Sequence, residues 1–96
     1  MAYSDLGDVD ASIGEYEQAI AISDTYPQTQ HNLALALLKQ GRTQQAITHL
    51  QRALELDGDF YYSARVLAQI YQAQGNEQLA AQYAERFEKS YAKFKR

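Results

Sequence analysis

Cysteine and tryptophan are absent from the 96 residues, proline occurs once, and the longest apolar run, Leu33–Leu38, is six residues. Without cysteine there is no disulfide, no thiolate nucleophile and no zinc–thiolate site, and the redox compartment stays open. An apolar run of that length is far short of the ~20 residues needed to span a bilayer, so no transmembrane segment is expected. Met1 to Asp8 show no basic flank leading into an apolar stretch, which argues against a secretory leader and leaves the cytoplasm as the default location. Lys plus Arg number 9 against 12 Asp plus Glu, a net charge of −3, so nucleic acid is not an expected partner. Strand signals are missing as well: there is no alternating run and no Asn-Gly hairpin dipeptide.

Signs of catalysis and metal binding are equally sparse. His31 and His49 are the only histidines and lie 18 apart. No His-Glu-x-x-His pattern, phosphate-binding glycine loop or Gly-x-Ser-x-Gly elbow occurs. Asp8, Asp10 and Ser12 begin like a calcium loop, but Ile13 stands where the glycine belongs and Ala19 where the last glutamate belongs. Asp10 reads better as the cap of a following helix. The expectation is a chain with no catalytic residues, no metal and no cofactor. The composition, 46% hydrophobic and 22% charged, is that of one small globular domain.

What is present is a period. Gly7, Gly41 and Gly75 lie 34 residues apart, and the same spacing relates Tyr3, Leu37 and Tyr71, then Ser12, Ala46 and Ala80, then Ala19 and Ala53, then Leu33 and Leu67. Columns that hold one register without an insertion identify a repeat. Within a copy, residues 27–40 carry Leu33, Ala34, Leu37 and Leu38 at helical spacing, opened by Pro27 and stopped by Gly41. Thr43 is then expected to cap a second helix with Ala46, Ile47, Leu50, Ala53 and Leu54 on one face. The third copy repeats the pattern with Val66, Leu67, Ile70 and Tyr71, then Gly75-Asn76, then Leu79, Ala80, Tyr83 and Phe87. The fold is expected to be all-α.

These glycines, with Ala34, Ala46, Ala68 and Ala80 at small positions and Tyr3, Tyr16, Leu33, Leu50, Leu67 and Tyr71 at large ones, closely resemble the tetratricopeptide repeat (TPR) family. The resemblance implies a right-handed α-solenoid of antiparallel helix-turn-helix hairpins, about two and three-quarter repeats long. It divides a single domain into a partial repeat over 1–26, a repeat over 27–60 and a third over 61–96 with an extended last helix. Gln30 and Ala64 depart from the family's usual tryptophan, and Asp24, Gly58 and Ala92 from its repeat-ending proline.

Met1 falls inside the first helix of its repeat, so Met1–Leu6 is expected to be a frayed remnant of under two turns, leaving the Tyr16 and Ile20 helix less covered. At the other end Phe87 replaces the small residue on which another helix would nestle, so it is expected to obstruct a fourth repeat. Phe87, Tyr91 and Phe94 form a stripe that either caps the solenoid or docks a partner. Residues 1–24 hold six acids and no base, whereas 84–96 hold five bases and two acids, so opposite ends could attract head to tail.

The first helix of each pair lines the concave side of such a solenoid. The groove candidates are therefore Gln28, His31, Asn32, Leu35 and Lys39 from the second copy and Tyr62, Arg65, Gln69 and Gln72 from the third. Ser4 and Asp5 are what the first could add. The expected function is a non-catalytic protein–protein interaction module that binds a peptide or helix of a partner in this groove. The alternative is a self-assembling or assembly-factor scaffold that uses Tyr16, Phe87, Tyr91 and Phe94 at its ends. A chaperone-carboxylate clamp of the kind some relatives carry is disfavoured, since only Asn32 matches it.

Overall fold

The computed structural model describes the backbone of residues 2–95 and the side chains of residues 8–95. Among these residues are five helices and no strand: α1 Ala2–Ile22, α2 Pro27–Lys39, α3 Thr43–Leu56, α4 Tyr61–Ala73 and α5 Glu77–Phe94. Each packs mainly on its neighbour in sequence, which is the wiring of a solenoid.

Two identical turns make the hairpins. Between α2 and α3, Gly41 has φ +77°; between α4 and α5, Gly75 has φ +78°. In the first, the Arg42 N–H donates to Leu37 O at 2.9 Å and the Gly41 N–H to Leu38 O at 3.0 Å. In the second, Asn76 donates to Tyr71 O at 2.9 Å and Gly75 to Gln72 O at 3.0 Å. This pair of bonds is the Schellman arrangement, which satisfies carbonyls that a helix end would leave bare. The turn delivers the chain to the next helix one residue earlier than the sequence suggests. Arg42, not Thr43, stands at the N-cap of α3 and caps with no side-chain bond. At the equivalent place before α5, Asn76 Oδ1 accepts the Leu79 N–H at 3.2 Å. Pro27 opens α2 as expected.

The core runs along the stack. Leu33, Leu50 and Leu67 are fully buried, and Ala34, Ala46, Ala53 and Ala64 are buried beside them. Small side chains at these places let helix backbones approach, and the leucines fill what remains. From α1, Val9 and Ile13 are buried and Tyr16 and Ile20 pack half-buried against the same core. Their spacing of four, three and four residues is one helical stripe.

That stripe exposes the main departure from the sequence reading. No turn forms at Gly7: α1 runs unbroken from Ala2 to Ile22. Continuing through it costs only the ~1 kcal/mol penalty of a mid-helix glycine, which the burial of Val9 and Ile13 on the same helix offsets. Asp10 therefore caps nothing; it sits inside α1, where its carboxylate accepts a hydrogen bond from Gln40 Nε2. Asp8, Asp10 and Ser12, held on the same helix, do not curl into a loop.

The glycines predict opposite effects. Gly14 lies inside α1 with nothing within 4 Å of an added Cβ, so Gly14→Ala should stabilise by about 0.5–1 kcal/mol. Gly41→Ala places a side chain in the left-handed region and should cost about 1–2 kcal/mol. Urea unfolding midpoints of the two variants, moving in opposite directions, check both.

Candidate binding groove

Each candidate groove residue sits on α2 or α4, and those that line recesses are divided among three of them. Asn32, Leu35 and Lys39 line a recess of about 540 Å³ together with Ala36 of α2 and Asp8, Val9, Ser12 and Tyr16 of α1. Gln28 is exposed beside it and donates from Nε2 to Asn32 Oδ1 at 3.0 Å. Tyr62 belongs instead to a recess of about 270 Å³ with Asp57, Asp59, Phe60, Tyr61 and Phe94. Gln69 lines a third, of about 370 Å³, with Leu38, Val66 and Ile70 among its walls. Arg65 and Gln72 are exposed on α4. The side chains of Ser4 and Asp5 lie outside the described residues.

His31 is not a groove residue. It is 7% exposed, and its Nδ1 is hydrogen-bonded to Ser63 Oγ, 2.9 Å away on α4. The ring also meets Phe60 edge-on at 5.5 Å. Its helical spacing suggested an inward polar face, but the interior of that face is the contact between α2 and α4. Ser63, fully buried, is the partner that the sequence reading missed. A second polar pair joins α2 to α3: His49 Nδ1–H donates to Gln30 Oε1 at 2.7 Å. Gln30 is 2% exposed, so an amide–imidazole pair fills this part of the junction. No buried side-chain nitrogen or oxygen among the described residues lacks a partner.

Burial lowers the pKa of both histidines below the ordinary 6.5; for His49, the nearby Glu17 charge partly offsets this. The imidazoles are therefore neutral in the fold at neutral pH.

The 34-residue register explains the main recess. Asn32, Leu35, Ala36 and Lys39 correspond to Val66, Gln69, Ile70 and Ala73 of α4. In the later repeat, these α4 residues share a recess with Leu38 of the preceding first helix, α2. In the earlier repeat, the same positions of α2 face the straight amino-terminal half of α1 across an open groove. The groove is thus shaped as the seat of a helix. Leu35, 37% exposed, is its apolar centre, with Asp8 and Lys39 supplying charge of both signs.

At the far end the expected stripe wraps one ring. Tyr61 meets Phe87 at 5.8 Å, Tyr91 at 5.4 Å and Phe94 at 5.8 Å, and Phe87 stacks on Tyr91 at 5.5 Å. Phe87 is half-buried, whereas Phe94 remains 64% exposed. Asp59 ties α5 to the loop before α4: it accepts from Lys93 Nζ at 3.0 and 3.1 Å and from Ser90 Oγ at 3.0 Å. The Lys93 bond, followed by that of Ser90, holds its carboxyl below the usual range.

One family model, TPR repeat, matches residues 2–41, and another, Tetratricopeptide repeat, matches residues 27–60. The chain belongs to the tetratricopeptide repeat family. Such repeats are generally protein-interaction modules. Among solved structures, the crystal structure of MamA superposes with a TM-score of 0.86 at 20% identity, over 90% of this chain and 50% of that one. At this identity the likeness is one of fold, and the present chain spans half the length of the MamA chain. No curated protein sequence matches the chain. No helix among the described residues is long and apolar enough to cross a membrane.

The polar pairs carry two expected outcomes. Ser63→Ala leaves His31 Nδ1 buried without its partner and should cost about 1–3 kcal/mol in urea unfolding. The second concerns pH: in the unfolded chain both imidazoles bind a proton near 6.5, and in the folded chain only at lower pH. The unfolded state therefore binds more protons between those values, and stability falls as pH drops below about 6.5. A lower urea midpoint at about pH 5.5 than at about pH 7.5 checks the sign.

Proposed function

We propose that this tetratricopeptide domain is a non-catalytic interaction module that seats a helix or peptide of a partner protein in the groove between α1 and α2. The observation that carries the reading is the groove's lining. An apolar floor of Val9, Leu35 and Ala36 is edged by Asp8, Ser12, Asn32 and Lys39, groups able to bond a ligand's ends and backbone. Its volume falls among those of ligand-accepting clefts, about 300–1,000 Å³. Gln28, Tyr62, Arg65, Gln69 and Gln72 extend the binding surface along α2 and α4. In this division, residues 27–60 and 61–96 act as the two complete hairpins and residues 1–26 as the wall that leaves the groove open.

The packed hairpins order one side of the interface beforehand, and a flexible ligand loses its own freedom on binding. Affinity for a short peptide is then modest, near micromolar or roughly −8 kcal/mol. A peptide selected from a random displayed library supplies the probe. Leu35→Asp should weaken its binding more than tenfold with the thermal midpoint unchanged, and Arg65→Glu should weaken it less. Unaltered calorimetric affinity in both variants would overturn the groove assignment.

A further inference from the structure

The two ends of the molecule are complementary in charge, shape and apolar content. At one end lies the open groove, with Leu35 and Val9 on its floor and Asp8 on its rim. Glu15, seven residues on from Asp8, returns to the same face of α1, and both side chains are exposed. Lys39 stands on the opposite rim. At the other end, α5 closes on Phe94, 64% exposed, and Tyr91, 40% exposed. Lys95 stands beside them, while Lys93 and Lys89 lie on other faces of the same helix. Lys93 is committed to Asp59. Lys89 makes only an exposed pair with Glu85 at 3.3 Å, of the kind worth little. Lys95 Nζ lies 6.0 Å over the Tyr91 ring.

We infer that the partner of the groove is a second copy of this chain, whose α5 end enters it head to tail. The inference rests on the groove reading above and names its occupant. A helix is what the repeat register prepares the groove for, and α5 ends in a helix with an exposed aromatic. Phe94 meets Leu35 and Val9 while Lys95 meets Asp8 and Glu15, and Lys89, on the other side of α5, adds to the positive field of the tip. Lys39 meets the α5 carboxyl-terminal carbonyls, whose dipole end is negative. Because groove and plug are different surfaces of one molecule, the contact is heterologous, and each added copy presents a fresh groove. Open arrays result, not a closed dimer.

Sedimentation velocity across a hundredfold concentration range provides the test. The parent chain should grow beyond dimer with concentration and dissociate when salt rises from about 0.05 to 0.5 M, where screening shortens the reach of exposed charges. Lys89→Glu with Lys95→Glu should give a monomer, and so should Asp8→Lys with Glu15→Lys, each with the parent's circular dichroism. Mixing the two variants one to one should restore assembly, because each reversed end then finds an opposite one. A parent chain that stays monomeric, or that stops at a dimer which both variants retain, overturns the inference. Leu35→Asp separates it from the groove reading. Assembly that survives Leu35→Asp while the library peptide is lost leaves the groove real and this occupant wrong. Loss of assembly together with retained peptide binding places the library peptide elsewhere and leaves the second copy as the groove's occupant.

Discussion

A left-handed glycine between two helices is the constraint on which the rest of this structure depends. At Gly41 and Gly75 the backbone turns through positive φ, bonds back to the carbonyls of the helix it leaves, and starts the next helix at once. That turn sets the antiparallel pairing of α2 with α3 and of α4 with α5. The pairing in turn brings the small residues of facing helices together, so the leucines between repeats are fully enclosed. At Gly7 the glycine is present, but helix continues through it. There the ~1 kcal/mol cost of a mid-helix glycine is offset by the burial of Val9 and Ile13 on the continuing helix. The groove follows from that balance, since α1 passes along one wall where a folded-back helix would have filled the space.

One buried polar pair joins the two complete hairpins, and a second lies within the first of them. His31 and Ser63 bond across α2 and α4 while Gln30 and His49 bond across α2 and α3. A buried polar pair adds less net stability than an apolar contact of equal area, but it is demanding in geometry, because a shifted register leaves a donor or acceptor bare. The two imidazoles therefore fix how α2 sits against its neighbours on both sides. A helix so fixed makes a firm wall for the groove, whose α2 side, Asn32, Leu35 and Lys39, belongs to the face next to these buried contacts.

Helix content and hairpin order were legible in the sequence because glycine spacing, alanine columns and the leucine stripe report local geometry and repeat contacts directly. The left-handed turns at Gly41 and Gly75, Pro27 at the start of α2 and the buried Leu33, Leu50 and Leu67 all follow from residue type and position. What escaped was decided by competition between alternatives. Gly7 matched its column, yet the balance between turn and helix there depends on what the continuing helix buries, and a column does not record that. Val9 was overlooked as a core residue for the same reason, since it lay in the assumed turn. His31 occupied an inward helical position, and spacing alone does not separate a polar residue facing a groove from one bonded across a repeat junction; only Ser63, 32 residues away, tells them apart. The candidate set likewise read as one strip because helical periodicity gives direction from the axis, whereas the recesses depend on how neighbouring helices stand against one another.

The unequal distribution of charge is best understood together with the unequal ends. Exposed acids and bases keep a solenoid soluble wherever they lie, and a mixed pattern would serve that need as well as a segregated one. Segregation adds a direction: acids on α1 beside a groove, and bases on α5 beside exposed aromatic rings. Like ends then repel while unlike ends attract, so end-to-end pairing of two grooves or two α5 tips is disfavoured by the same charges that favour groove against tip. The apolar contact, a phenylalanine against a leucine and a valine, supplies attraction without direction. In the head-to-tail arrangement inferred above, polarity in the chain's charge is what would order the contacts, which neither the groove nor the aromatic stripe would specify alone.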